Sequence, residues 1–134
     1  MSAISGKPCW FCRIPPGRIL RESINCFTVL DGYPVTSLHT LIIPKHHTET
    51  YFDLKRDVRW DVDFHLEEER KIILAQDPSV MGFNIGMNCG AVAGQTIMHC
   101  HVHLIPRRKG DIDDPRGGVR GVIPDKRISD KRIY

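Results

Sequence analysis

Residues 96–106 read TIMHCHVHLIP, and this stretch decides the fold of the chain. Polar and apolar residues alternate along it, and a period of two predicts a β-strand. His99, His101 and His103 occupy alternate positions, so the strand places their imidazoles on one face. The apolar residues that alternate with them point the other way, into the predicted core: Cys100, Val102 and Leu104.

Three imidazoles on one face have three interpretations. They form a solvated polar face, a three-histidine metal site of the kind used by zinc hydrolases, or a site in which one imidazole is a nucleophile or acid–base. The loop just upstream, CGAVAGQ (89–95), favours the third. Gly90 and Gly94 let backbone N–H groups approach an anion, and Gln95 and Thr96 add side-chain donors. A phosphate bound by this loop would lie beside the imidazoles.

The elements on either side of this strand predict an α+β fold. Residues 24–31 and 38–43 are apolar and rich in β-formers around a Gly–Pro turn, which predicts a hairpin. Residues 53–76 repeat apolar positions every four residues, which predicts an amphipathic helix, and residues 82–88 predict a buried strand. The expected architecture is an antiparallel β-sheet meander with one long α-helix packed on one face, plus a short N-terminal helix or turns.

For three side chains on the predicted helix, the sequence predicts whether they lie in the core or on the surface. Trp60 and Phe64 share one i, i+4 row, where they belong to the core or mark a subunit contact. Helical spacing favours the core for both aromatic residues. His65 is expected on the charged side of the same helix.

Length and composition predict one domain over residues 1–134, divided into an N-terminal arm (1–18), a core (19–106) and a basic tail (107–134). The net charge of +3 is too small to indicate a nucleic-acid partner. The charge is unevenly distributed, because the tail has a net charge of +4 and the first 106 residues have −1. No apolar run approaches the roughly 20 residues of a membrane span. An odd number of cysteines, five, without a secretion signal favours reduced thiols, metal binding or catalysis over a disulfide framework, and a cytoplasmic protein is expected.

Cys9 and Cys12 form a Cys-x-x-Cys pair, which is half of a zinc site, a redox pair or a chance spacing. A thioredoxin-like pair belongs between a strand and a helix, so the redox interpretation is the weaker one. The spacing of the remaining histidines does not by itself complete a zinc site.

The segment GQTIMHCHVHLIP (94–106) resembles the signature of the histidine-triad (HIT) family, in which His-φ-His-φ-His-φ-φ follows a Gly-Gln-Ser/Thr turn, φ being an apolar residue. The likeness extends upstream through FTVLDGYPV, LIIPKHH, YFDL and GFNIGMNCG and covers residues 9–106. The tail, GDIDDPRGGVRGVIP, is similar to that of bacterial members. The resemblance implies a HIT-like fold and an enzyme of the nucleotide hydrolase or nucleotidyl transferase type.

The resemblance also implies a catalytic group. The central triad residue, His101, would attack the α-phosphorus of a nucleotide conjugate and form a covalent nucleotidyl-histidine that water then cleaves. His103 would contact phosphate oxygens, while Gln95 and Thr96 would position the phosphate and the leaving group. The substrates implied are dinucleoside polyphosphates or nucleoside phosphoramidates.

A second set of residues would bind the nucleotide. Asn88 matches the family's nucleotide-contacting asparagine, and Asp31 matches the acidic residue that holds the ribose hydroxyls. Phe27 and Val29 would line the base pocket or serve as plain core residues, and Gly94 belongs to the phosphate-approaching loop. Members of this size are usually homodimers.

Some members with the N-terminal cysteine pair use two histidines as further zinc ligands. On this chain the implied Cys₂His₂ set is Cys9, Cys12, His47 and His99, a closed structural site. Two alternatives to the HIT enzyme remain at this point: a three-histidine metallohydrolase and a nucleotide-binding module with little turnover. Base preference, the leaving group, and the choice among hydrolase, phosphorylase and phosphoramidase are left open by the sequence.

Overall fold

The computed structural model describes residues 9–128, which contain one α-helix and five β-strands. The elements run β1 (Ile19–Glu22), β2 (Cys26–Leu30), β3 (Thr40–Pro44), α1 (Arg56–Gln76), β4 (Val80–Gly86) and β5 (Val102–Arg108). Short 3₁₀ turns fill several connections, including Trp10–Arg13 in the N-terminal arm. Among residues 9–128, no helix is both long enough and apolar enough to cross a bilayer.

The five strands form one antiparallel sheet in the order β1-β2-β3-β5-β4. β1 to β3 follow one another as a meander, and the β4–β5 hairpin joins through β5, which pairs with β3. The helix connects β3 to the edge strand β4 and packs on β2, β3 and β5. The predicted α+β architecture, with one long helix on an antiparallel sheet, is confirmed.

The strand that carries the triad begins later than predicted. β5 starts at Val102 and ends at Arg108, so His99 and His101 precede it. The ladder between β3 and β5 reaches only the pair Ile42↔Val102, and Pro44 at the end of β3 offers no N–H to extend it. The carbonyl of Pro44 instead accepts a hydrogen bond from His99 Nε2 at 2.7 Å.

Side chains of the sheet alternate between two apolar clusters. Ile42, Val102 and Leu104 are buried in the cluster that includes Val62 and Ile73 of the helix. The other cluster contains Phe27, Val29, Leu41 and Ile43 of the sheet together with Cys9 and Phe11 of the arm. The predicted inward orientation of Cys100, Val102 and Leu104 is confirmed, since all three are buried.

The helix, in contrast, corrects two expectations. Trp60 and Phe64 are 68% and 54% exposed, so the prediction that they belong to the core is wrong. His65 is 2% exposed and faces the sheet, so its placement on the charged side is also wrong. The helix therefore turns a partly polar stripe toward the sheet and leaves two aromatic rings in solvent.

The buried polar residues of the helix, Glu69 and His65, have hydrogen-bond partners on β1, on β2 and in the turn between them. Arg21 donates two hydrogen bonds to the carboxylate of Glu69, at 2.6 and 2.7 Å, and Thr28 Oγ1 donates a third at 2.9 Å. His65 Nε2 lies 2.8 Å from Ser23 Oγ, which in turn bonds to the carboxylate of Asp61. Each of these residues has a polar partner, which lowers the cost of its burial, but Nδ1 of His65 has no hydrogen-bond partner within residues 9–128.

Candidate active site

A cavity of about 720 Å³ opens between the N-terminal arm, the β2–β3 connection and the residues that precede β5. Its apolar walls include Val29 and Leu41 from the cluster on the face away from the helix. His101 and His103 line it together with Asp31 and Asn88. The cavity thus brings imidazoles, a carboxylate, an amide and apolar wall residues together.

The loop over residues 89–95 is shaped by glycine and closed by Gln95. Gly90 and Gly94 have φ angles of +99° and +101°, a left-handed region in which other residues are strained. Gln95 Oε1 accepts a hydrogen bond from Gly90 N at 2.8 Å, and its Nε2 donates to the carbonyl of Glu49 at 2.7 Å. The side chain of Gln95 is therefore buried and bound to backbone, and it is not part of the cavity lining.

The ring of His101 has a defined tautomer. Its Nδ1 lies 2.8 Å from the carbonyl oxygen of His99, which can only accept a hydrogen bond, so Nδ1 carries the proton. In the neutral imidazole the lone pair is then on Nε2. The Phe11 ring contacts this imidazole edge to face, with 4.9 Å between ring centroids. His101 is thus oriented from the backbone on one side and from an aromatic ring on the other.

A chain of hydrogen bonds sets the tautomer of His103. The backbone N–H of Val35 donates to His39 Nδ1 at 3.0 Å, so the proton of the neutral His39 ring is on Nε2. That Nε2–H donates to His103 Nδ1 at 2.9 Å and lies 3.5 Å from Asp31 Oδ2. His103 Nε2 consequently carries a proton and is a hydrogen-bond donor at the cavity.

Burial is the main cause that lowers the pKa of His103 to about 4. The nearby imidazoles of His101 and His39 act in the same direction, and the carboxylate of Asp31 opposes them. Burial lowers the pKa of His39 as well. Both rings are therefore neutral near pH 7, as the hydrogen-bond chain requires.

This shift predicts a loss of stability in acid. Between pH 6.5 and 4 the unfolded chain binds a proton at His103 that the folded chain excludes, so the free energy of unfolding falls as the pH falls. When the pH falls from 7.5 to 4.5, the free energy of unfolding of His103→Gln should fall by about 2 kcal/mol less than that of the wild type. Urea denaturation measures both values. The exposed His46, changed to Gln, is the matched control and should follow the wild type. Parallel curves for His103→Gln and the wild type would contradict the assignment.

A second group of side chains lies beside the cavity, where the arm meets the residues before β5. The ligand atoms of Cys9, Cys12, His47 and His99 all lie within 4.8 Å of one another. His99 Nδ1 is 3.4 Å from Cys9 Sγ and 3.5 Å from Cys12 Sγ, and His47 Nδ1 is 3.4 Å from Cys12 Sγ. Because His99 Nε2–H donates to Pro44, its Nδ1 presents a lone pair to the two sulfurs.

These distances fit a tetrahedral metal site. A nitrogen and a sulfur bound to one tetrahedral zinc ion stand roughly 3.5 Å apart, which is close to the three separations observed. A second group, Asp31, His39 and His103, also has its potential ligand atoms together. Its two imidazole nitrogens are 2.9 Å apart, a hydrogen-bond distance and shorter than the roughly 3.3 Å of two nitrogens on one zinc. The donor set therefore favours zinc at the Cys₂His₂ group.

The structure places most of the predicted site residues at the cavity. Its lining includes seven of them: Val29, Asp31, Asn88, Gly94, Thr96, His101 and His103. Phe27 is buried in the apolar cluster beside Val29 and is absent from the lining, as is Gln95. Sequence reasoning missed Trp10 and Phe11, which also line the cavity, although their place between the two cysteines was a usable signal.

The conserved-domain model described as the HIT domain matches residues 13–110 of the chain. The chain belongs to the HIT family. The match includes β1 to β5, the helix and the loop before the triad. Cys9 and Cys12 lie just before its first residue, so the family assignment does not depend on them.

Named relatives and solved structures share most of this HIT domain. Adenosine 5'-monophosphoramidase HNT1 of Candida albicans is 33% identical over 111 residues, covering 78% of this chain and 73% of that protein. Adenylylsulfatase HINT3 of Arabidopsis thaliana is 36% identical over 107 residues, covering 77% of this chain and 54% of that protein. The crystal structure of a Zn-bound histidine triad family protein from Mycobacterium smegmatis superposes with a TM-score of 0.70 at 34% identity, covering 77% of each chain.

Proposed function

We propose that this HIT protein is a nucleotide hydrolase or nucleotidyl transferase that cleaves the α-phosphate linkage of nucleotide conjugates. Dinucleoside polyphosphates and nucleoside phosphoramidates are the substrate classes. The observation that carries the proposal is the position of His101, at the cavity with its Nδ1 proton bound to the backbone and its Nε2 lone pair available. The names of the Candida and Arabidopsis relatives support hydrolysis at a nucleotide phosphate.

The proposed reaction has two displacements at phosphorus. His101 Nε2 attacks the α-phosphorus, so an N–P bond forms while the bond from phosphorus to the leaving group breaks. Water then attacks the same phosphorus and gives up a proton to solvent while the N–P bond breaks. The nucleoside monophosphate leaves, and the neutral imidazole is restored. His103 donates from Nε2–H to a phosphate oxygen and stabilises the charge that develops there.

The other lining residues bind and orient the nucleotide. The Asp31 carboxylate accepts hydrogen bonds from the ribose hydroxyls. Asn88 and Thr96 contact the nucleotide phosphate or the leaving group. Val29 forms part of the base wall, with Phe27 packed in the same cluster. Gln95 acts indirectly: its Oε1 accepts a hydrogen bond from Gly90 N and so fixes the loop that ends at Gly94.

The two alternative functions differ from this proposal, one in the arrangement of its ligands and the other in its product formation. A three-histidine metallohydrolase needs three imidazoles around one ion, and within residues 9–128 His99 instead groups with Cys9 and Cys12, apart from His101 and His103. A binding module would hold AMP tightly and release no product over hours.

The substrate class is tested by a panel assay. Diadenosine polyphosphates, adenosine 5'-phosphoramidate and adenosine 5'-phosphosulfate are incubated with the protein, with and without inorganic phosphate, and AMP and ADP are quantified. AMP from at least one substrate is the expected result. ADP that appears only with phosphate would identify phosphate as the acceptor. Absence of turnover on the whole panel would contradict the proposed function.

We also propose that the Cys₂His₂ group binds a structural zinc ion through Cys9, Cys12, His47 and His99. Four protein ligands leave no open position for substrate, so the ion would tie the arm to the residues before β5 and take no part in the reaction. The separations of the ligand atoms and the Zn-bound Mycobacterium relative support this proposal.

Zinc binding predicts a simple change in metal content. The purified wild type should contain about one zinc per chain, and Cys12→Ser should lose most of it because the site then has three ligands. Metal analysis by mass spectrometry checks both values. Cys89→Ser, at a cysteine outside the group, is the control and should keep the metal. Equal zinc in wild type and Cys12→Ser would overturn the site.

The remaining assignments concern organisation. Residues 1–134 are proposed to form one HIT domain of the bacterial type, with the arm at 1–18, the core at 19–106 and the basic tail at 107–134. Residues 1–8 of the arm and 129–134 of the tail lie outside the described residues. Homodimerisation is supported by β4, which lies at the edge of the sheet and exposes Met81 and Ile85. The proposal of a cytoplasmic location is supported by the five cysteines, none of which forms a disulfide within residues 9–128.

A further inference from the structure

The turn between the two cysteines faces two sites at once. Trp10–Arg13 is a single 3₁₀ turn that begins directly after Cys9 and contains Cys12. The sulfurs of its cysteines face His47 and His99, while Trp10 and Phe11 line the nucleotide cavity. The residues that would hold zinc and those that shape the cavity are thus adjacent in the chain.

Trp10 and Phe11 differ in how much of their surface is covered. Phe11 is buried among Cys9, Phe27 and Val29 and touches the ring of His101. Trp10 lines the same cavity but is 51% exposed, so about half of a large flat aromatic surface has no protein partner. An indole at the wall of a cavity that also contains Asp31 and His101 is suited to stack on a nucleobase whose phosphate reaches His101.

The buried ring of Phe11 packs one side of this turn into the apolar cluster, and the cysteines face His47 and His99. The N-terminal cap of the turn has no side-chain hydrogen bond, and one backbone bond, from Cys12 N to Cys9 O at 3.2 Å, links the cysteines. An isolated four-residue 3₁₀ turn is weakly stable. Zinc bound at both cysteines and at His47 and His99 would anchor the turn to the body of the protein, and with it the indole.

We propose that Trp10 stacks on the base of the bound nucleotide, and that zinc at the Cys₂His₂ group raises nucleotide affinity by holding Trp10 in place. The inference rests on the proposed function only in taking a nucleotide as the ligand, and it does not require turnover. Coupling between two binding sites is reciprocal, so the nucleotide must tighten zinc binding by the same factor.

The stacking contact is tested in a Trp60→Phe background, in which Trp10 is the remaining tryptophan. AMP should change the fluorescence of Trp10, and Trp10→Ala should weaken AMP binding by about tenfold while zinc content stays the same. Trp10→Phe should recover most of the affinity. Ribose 5-phosphate, which lacks a base, should bind Trp10→Ala as well as it binds the parent. Unchanged AMP affinity in Trp10→Ala would overturn the stacking contact.

The coupling is tested by removing and restoring zinc. Chelation should weaken AMP binding to the wild type, zinc should restore it, and the effect should be smaller in Trp10→Ala. Tyr33→Ala is the matched control, because Tyr33 is an exposed aromatic residue of the same cavity but lies outside the metal-bearing turn. Its response to chelation should equal that of the wild type.

A reciprocal measurement keeps the inference testable even if the zinc-free protein unfolds. The affinity for zinc, measured by equilibrium competition with a chromogenic chelator, should be higher with saturating AMP than without it, and this difference should shrink in Trp10→Ala. Equal zinc affinities with and without AMP would overturn the coupling. A protein that shows both effects but turns over no substrate would contradict the proposed function and leave this inference standing.

Discussion

His101→Asn is expected to lower kcat on a nucleotide conjugate by at least about 10³-fold, because the variant has no nucleophile to form the N–P bond. Asparagine retains an N–H that can bond to the carbonyl of His99, so the local backbone should be preserved. The fold and AMP binding should therefore survive. Steady-state rates, circular dichroism and calorimetry with AMP measure the three quantities.

The covalent step gives a second readout for the same variant. Wild-type protein quenched during turnover should carry one nucleotidyl group on a histidine, seen by intact mass and located by peptide mapping. The adduct should be absent from His101→Asn and present in the exposed-site control His46→Asn. Near-normal turnover by His101→Asn would refute the nucleophile assignment.

Arg21→Met is expected to reduce the free energy of unfolding by about 3 kcal/mol, the second large effect. Glu69 is 1% exposed and receives two of its hydrogen bonds from Arg21, so the variant leaves a buried carboxylate without its cation. Thr28 alone cannot replace them. Urea denaturation of wild type and variant measures the difference.

The design of this experiment separates an ion pair with a buried carboxylate from one with an exposed carboxylate. The side chains of Arg21 and Lys45 are 40% and 39% exposed, but Glu69 is 1% exposed whereas Glu22, the partner of Lys45, is 57% exposed. Lys45→Met should therefore cost less than about 0.5 kcal/mol. The double variant Arg21→Met/Glu69→Leu should recover much of the loss, since it removes the stranded charge as well. If Arg21→Met lowered the free energy of unfolding no more than Lys45→Met does, the Arg21–Glu69 ion pair would contribute little to stability.

Alternation and periodicity predicted β2 to β5 and the helix because they report which face of a strand or helix is covered, but the four-residue β1 was not predicted. They failed where a polar side chain is buried by a distant partner. His65 and Glu69 look like surface residues in the sequence, and their partners Ser23 and Arg21 lie more than 40 positions away. The helix accordingly buries His65 and Glu69 beside its apolar stripe and leaves Trp60 outside.

The candidate site divides in the same way. The regular spacing of the triad predicted that its three imidazoles share one face. His101 and His103 line one cavity, and His99 Nδ1 lies 3.4 and 3.5 Å from the sulfurs of Cys9 and Cys12. Spacing could not bring Cys9 to His99, since 90 positions separate them and the sheet makes the connection. Gln95 was expected to reach the phosphate, whereas its amide bonds to Glu49, a residue that no local pattern identifies.

β3 has a consequence for how the protein loses its structure. All five of its residues are buried, with Ile42 in the helix-side cluster and Leu41 and Ile43 in the cavity-side cluster. Neither layer can therefore separate from the sheet without exposing a strand that also belongs to the other. We therefore expect the helix and the cavity to unfold as one cooperative unit, so that damage to the helix core reaches the cavity as global unfolding and not as local loosening.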